Sequence, residues 1–130
     1  MVQPVFLFAK RLFQEEEKTE AAFSGPAAGV IGVIGGTYGA MPELYIRIYQ
    51  LFHEGKMEEA RVIQNECCRV IYEMCSGKGN LYAMLKEIIR INGGPDAGSV
   101  REPLYPLQEE DKPIAASCAA KIRELIAKYC

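Results

Sequence analysis

Gly29-Val-Ile-Gly-Val-Ile-Gly-Gly-Thr-Tyr-Gly-Ala-Met-Pro-Glu-Leu-Tyr45 is the stretch whose reading decides the fold. Val30, Ile31, Val33 and Ile34 form a β-branched run without polar alternation, the pattern of a strand covered on both faces in a parallel sheet. Gly35, Gly36 and Gly39 follow as a turn whose backbone can approach a ligand with no Cβ in the way. Pro42 suits the first turn of a helix, where its missing N–H is not needed. In barrels and open α/β sheets, such a junction at the carboxyl end of a strand is where ligands bind. The rest of the sequence carries no second strand of this kind, so the expectation is one strand and several helices.

Beyond the junction the apolar spacing becomes helical. Residues 42–54 place Leu44, Ile48, Leu51 and Phe52 on one stripe, with Gly55 as the stop. Residues 57–75 turn Ala60, Ile63, Cys67, Val70, Ile71 and Met74 inward, and Gly77 is read as ending that helix. Asn80 caps a third helix whose core face is Leu81, Met84, Leu85 and Ile88, broken by Gly93-Gly94-Pro95. Residues 97–110 read as an irregular connector, since Pro103 and Pro106 exclude helix. Asp111 and Pro113 open the last helix, which is expected to bury Ile114, Cys118, Ile122, Leu125 and Ile126. Residues 19–28 carry a short helical pattern weakened by Gly25-Pro26.

The 130 residues amount to one domain. Fifteen basic and 17 acidic side chains are interleaved, which argues against a nucleic-acid or anionic-membrane partner. Five cysteines without a CxxC, together with a single His, argue against a zinc site. Cys67, Cys68, Cys75, Cys118 and Cys130 read instead as reduced, largely buried thiols of a cytoplasmic protein. The uncharged stretch 21–42 is long enough to span a bilayer, but it holds six glycines and Pro26, and its strongly apolar part is only residues 30–34. Neither a membrane span nor a signal peptide is expected.

The segment 22–130 resembles the C-terminal portion of the N-acetylneuraminate lyase and dihydrodipicolinate synthase family. These are (β/α)8-barrel enzymes of the class I aldolase type. Gly32-Val-Ile-Gly-Gly-Thr-Tyr-Gly39 matches the family's last barrel strand and turn, which usually read G-G-I-G-S/G-T-Y. The helix at 42–54, Gly55 and Met57-Glu-Glu-Ala60 match the last barrel helix and the start of the appended helices. Gly79-Asn-Leu-Tyr82 with Lys86, then Arg101-Glu-Pro-Leu104, continue the pattern in order. The Thr37-Tyr38 pair tilts the resemblance toward the N-acetylneuraminate lyase branch. The fold class implied is mainly α: the last strand and helix of a TIM barrel plus appended C-terminal helices. Residues 1–18 show no such pattern and read as an unrelated tail, with 19–55 the last barrel unit and 56–130 the helical extension.

The resemblance implies a pyruvate-dependent carbon–carbon lyase in which a lysine on an earlier strand forms a Schiff base with a keto carbon. That lysine needs a depressed pKa to present a neutral amine. Lys56, Lys78, Lys86, Lys121 and Lys128 all fall on helices or turns, so no catalytic residue is assigned to this chain. By resemblance, Gly35, Gly36 and Thr37 are the substrate-binding turn, with Gly36 standing where family members commonly carry a serine. Glu20 matches the second member of an Asp-Glu pair, while Thr19 departs from it. No cofactor and no metal are implied. The partners implied are a small keto acid or sugar acid in a complete barrel, and self-association, because the Leu44/Ile48/Leu51 stripe would otherwise lack strands to pack on. The alternative reading is a non-catalytic helical interaction or oligomerisation module. His53 reads as an ordinary helix-end residue, and Tyr45 with Tyr49 as a packing pair at helical spacing.

Overall fold

A computed structural model describes residues 35–130. The expected strand at 30–34, the helical pattern at 19–28, Glu20, the tail and most of the uncharged stretch lie outside the described residues. A short 3₁₀ turn, Gly36–Gly39, leads into four helices: α1 Pro42–His53, α2 Met57–Met74, α3 Leu81–Ile91 and α4 Lys112–Tyr129. A second 3₁₀ turn, Glu109–Asp111, precedes α4. None of the described helices is long and apolar enough to cross a membrane.

The helix ends follow the local chemistry. Pro42 stands at the start of α1, and Gly55 closes it with φ +76°. There the Lys56 N–H reaches Leu51 O at 2.9 Å and the Gly55 N–H reaches Phe52 O at 3.0 Å, the paired bonds of a left-handed helix stop. Gly93, at φ +89°, ends α3 with the same pair of bonds. The Asn80 side chain caps α3 by accepting the Tyr82 N–H at 2.9 Å. Gly77 has a different role from the stop read in the sequence. Its φ is not positive, and α2 has already ended at Met74. A Cβ at Gly77 would lie 2.9 Å from Met84 Cε and 3.0 Å from Asp111 Oδ1, so close packing explains the glycine.

The helices enclose one core. Leu44, Ile48 and Leu51 of α1 join Ala60, Ile63, Cys67, Val70 and Met74 of α2. Met84, Leu85 and Ile88 of α3 and Ala115, Cys118, Ala119 and Ile122 of α4 complete it. α1 packs most extensively on α2, and α4 touches each of the other three helices. The small side chains of Ala115, Cys118 and Ala119, all fully buried, let α4 approach its neighbours closely. This corrects the expectation for α1. Leu44, Ile48 and Leu51 are not left without a surface to pack on; all three are within 1% of complete burial in the helical core. Phe52, Leu81, Ile114, Leu125 and Ile126, expected inside, are half-buried at its margin.

The thiols also differ from the expectation. Cys67 and Cys118 are buried, Cys68 is intermediate, and Cys75 and Cys130 are exposed; all five are free. Burial pushes the Cys67 thiol up to about 12 and the Cys118 thiol to about 11, so both are inert at neutral pH.

Candidate functional site

The turn Gly35–Gly36–Thr37 is built against α1 and α3. Gly35 has extended backbone, and the Tyr38 ring folds back over it: a Cβ at Gly35 would lie 2.9 Å from Tyr38 Cε1. Gly36 is exposed and faces the Tyr82 ring at the start of α3, where a Cβ would lie 3.0 Å from Tyr82 Cε1. Thr37 turns the other way. Its side chain is buried, and Oγ1 meets the Tyr45 hydroxyl at 3.0 Å. Tyr45 also has a ring partner. Its ring tilts against Tyr38 with centroids 4.0 Å apart, while Tyr49 meets the exposed His53 edge-on at 4.3 Å. Burial holds the Tyr45 phenol well above the usual tyrosine range, with the Thr37 hydrogen bond opposing this, and burial also raises Tyr38. Both phenols are uncharged at neutral pH.

This geometry divides the three turn residues by role. Gly35 and Gly36 present backbone, whereas the Thr37 hydroxyl is spent on the core. Thr37→Val should leave the buried Tyr45 hydroxyl without its partner and destabilise the fold by about 1–3 kcal/mol. Tyr45→Phe should act similarly, and the double variant should be destabilised by less than the sum of the two. Urea unfolding of the four proteins measures the coupling; strict additivity would show that the hydroxyls do not interact.

Each lysine among the described residues already has an acceptor or a ring. Lys56 pairs with Glu54 at 2.8 Å, Lys78 with Glu110 at 3.0 Å and Lys112 with Glu109 at 2.7 Å. Lys121 pairs with Glu73, which also accepts the Ser117 hydroxyl at 2.8 Å, so α2 and α4 are tied together. Lys86 reaches the Ala97 and Ser99 carbonyls at 3.1 and 2.7 Å. Lys128 lies 4.8 Å over the Tyr129 ring. Hydrogen bonds to Glu54, Glu73 and Tyr129 raise the pKa of Lys56, Lys121 and Lys128, opposite to the shift an amine nucleophile needs. Lys10 and Lys18 lie outside the described residues.

A groove of ≈ 150 Å³ runs between α3 and the connector, lined in part by Lys86, Glu87, Arg90 and Asp96. Its charges are internally engaged. Arg90 grips Glu87 through two hydrogen bonds of 2.8 and 2.6 Å, Lys86 holds the two carbonyls, and Asp96 accepts the Gly98 N–H at 2.9 Å. The groove fastens the connector to α3.

Asp111 stands immediately before α4, as expected, but its side chain makes no capping bond to that helix. Its buried carboxylate accepts the N–H groups of Lys78 at 2.7 Å, Gly79 at 2.9 Å and Gln108 at 2.9 Å. One side chain thus joins the α2–α3 turn to the end of the connector. Two of its donors are more than 30 positions away, which no local pattern reveals.

Residues 17–122 match the dihydrodipicolinate synthetase family. The chain belongs to that family. Within it, the chain is 48% identical over 110 residues to an N-acetylneuraminate lyase from Mediterraneibacter gnavus, covering 85% of this chain and 35% of the relative. A second N-acetylneuraminate lyase, from Salmonella agona, is 32% identical over 101 residues, covering 78% and 33%. Among solved structures, sialic acid aldolase from Ruminococcus gnavus superposes with a TM-score of 0.83 at 47% identity, over 86% of this chain and 37% of that one. A catalytic lysine mutant of that aldolase matches equally well. The described chain is therefore mainly helical and matches a TIM-barrel aldolase, and it spans about a third of the length of the curated relatives it matches.

Proposed function

We propose that this chain forms the C-terminal portion of an N-acetylneuraminate lyase-like Schiff-base aldolase, which cleaves or condenses pyruvate with an aldehyde. The 48% identity over 110 residues to an N-acetylneuraminate lyase carries this reading. In it, residues 19–55 supply the last barrel unit, with a strand at 30–34 leading into the described turn and α1. Residues 56–130 supply the appended helices, and 1–18 form a tail outside the family pattern. The substrate-facing elements are the backbone of Gly35, Gly36 and Thr37, with Glu20 a further contact. The Schiff-base lysine lies outside this chain, a view supported by the lysines of the described part, each already engaged by an acceptor or a ring. Its substrates are a small keto acid and a sugar acid, and the place of work is the cytoplasm.

The chemistry asks for an amine that is neutral at working pH, held where water is excluded. Here the lysine environments do the reverse, stabilising the ammonium with carboxylates and carbonyls at the surface. Incubating the chain with pyruvate and borohydride should leave its intact mass unchanged. A stable pyruvate-dependent adduct on one lysine would contradict the assignment.

A second reading, a helical interaction module, draws on the completeness of the core. Leu44, Ile48 and Leu51 are buried by the described helices themselves, so the bundle can hold together on its own. In that reading any self-association runs through the exposed Ile46, Tyr49 and Val62 rather than through the α1 stripe.

A further inference from the structure

We propose that the outward face of α1, centred on Ile46 and Tyr49, docks the strand-bearing remainder of an aldolase barrel, and does so when that remainder is a separate polypeptide. This inference rests on the reading of the chain as the C-terminal portion of such an enzyme.

The observation that carries it is that α1 is apolar on two sides. Leu44, Ile48 and Leu51 fill the helical core. On the far side Ile46 is 57% exposed and Tyr49 is 39% exposed. Tyr49 meets the His53 ring edge-on at 4.3 Å, and half-buried Phe52 meets the same ring at 5.6 Å. Ile46, Tyr49 and His53 are spaced three and four residues apart, so they form one stripe along the helix. The polar side chains Glu43, Arg47, Gln50 and Glu54, spaced four, three and four apart, make a single strip between the two apolar sides. A helix with apolar surface on opposite sides is built to be covered on both. The outward sides of α2 and α3 differ, because their exposed apolar side chains stand among the Glu58–Arg61, Glu66–Arg69 and Glu87–Arg90 ion pairs.

The occupant follows from size, chemistry and connection. The chain spans about a third of the length of its relatives, so the greater part of a barrel is left to cover the stripe. Strands of a parallel barrel are apolar on both faces and need helices outside them, which suits a stripe without lysine, arginine or carboxylate. The Gly36–Gly39 turn sets α1 as the first described helix, at the end where the preceding residues join. The core of the described helices is closed without the barrel, so the face is presented already formed.

The test co-expresses the full 130-residue chain with a tagged piece of Ruminococcus gnavus sialic acid aldolase, the portion outside the match. Capture on the tag should recover the two in equal amounts. Ile46→Glu and Tyr49→Glu should each lower the recovered chain by about tenfold or more, as a charge does at the centre of an apolar interface. Tyr72→Glu, at a side chain 69% exposed on α2, should leave it unchanged. All three sites are on the surface, and wild-type unfolding midpoints of the isolated variants report that the fold is kept. Absence of a complex with the wild-type chain, or capture unaffected by both α1 variants, would overturn the proposal. A dimer of the chain alone that the same variants abolish, with no aldolase piece bound, would assign the face to a second copy and overturn it as well. A single-chain fusion of the two pieces that releases pyruvate from sialic acid, while the separate pieces stay apart, would overturn the docking and leave the aldolase reading standing.

Discussion

Leu51→Ala should destabilise the chain by about 2–5 kcal/mol, the range for emptying a fully buried leucine site. Leu51 is 1% exposed in α1 and belongs to the single core shared by all four helices. A whole domain is stable by only about 5–15 kcal/mol, so this one truncation removes a large share of the margin. Leu104→Ala, at a side chain 41% exposed on the connector, should stay within about 0.5 kcal/mol. The comparison is decisive because the sequence suggested the opposite for α1. If the Leu44, Ile48 and Leu51 stripe awaited strands from elsewhere, truncating it in this chain would change little. Urea unfolding midpoints separate the cases, and near-equal midpoints for the two variants would show that α1 is not docked. The same packing predicts slow amide exchange in α1 as well as in α2, α3 and α4.

The second large effect belongs to Asp111. Asp111→Asn keeps the size but leaves one acceptor oxygen for three N–H donors. In either amide orientation, at least one donor faces the new NH₂ group. The variant should unfold at a clearly lower temperature at pH 7, whereas Glu110→Gln, at a surface ion pair, should change little. The pH dependence has a defined direction. The N–H groups of Gln108, Lys78 and Gly79 hold the Asp111 carboxyl below the usual carboxylate range, against the opposing effect of burial. A carboxyl depressed in the folded state contributes its full stability above its unfolded pKa, about 3.9, and loses it as pH falls through the folded value. The gap between wild type and Asp111→Asn should therefore be constant at neutral pH and narrow below about pH 4. Glu54, Glu73 and Glu87 are depressed in the same direction by their basic partners, and they provide a background common to both proteins. A gap independent of pH down to 2 would show that the charge on Asp111 is not what the three donors hold.

The helices were legible because their signals are local. The Leu44/Ile48/Leu51 spacing, Pro42 at one end and Gly55 at the other, marked α1 to within a residue of its observed end. Asn80 and Gly93 did the same for α3. What could not be read depends on pairs distant in sequence. Gly77 looks like a helix stop until Met84 and Asp111 are seen against it. Asp111 opens α4 as its position suggests, but no local pattern shows the Lys78 and Gly79 amides at its oxygens. Helical spacing sets Tyr45 beside Tyr49, but only the fold shows that the 3₁₀ turn brings Thr37 and Tyr38 to Tyr45 as well. The glycine turn ahead of α1 was legible as a turn. The inward placement of Thr37 was not, because the Tyr45 hydroxyl that holds it lies on the following helix. The family resemblance was carried by short motifs in a fixed order, and the match over residues 17–122 spans those motifs.

If, as proposed, this chain provides the C-terminal part of a Schiff-base lyase whose nucleophile comes from outside it, it should function in place of the corresponding part of a relative. In a chimera, residues 19–130 of this chain replace the matching portion of Ruminococcus gnavus sialic acid aldolase, and pyruvate release from sialic acid is measured. Turnover is expected, as is its loss when the aldolase's catalytic lysine is replaced. A folded chimera that keeps that lysine and shows no turnover, or one that still turns over without it, would rule the proposal out.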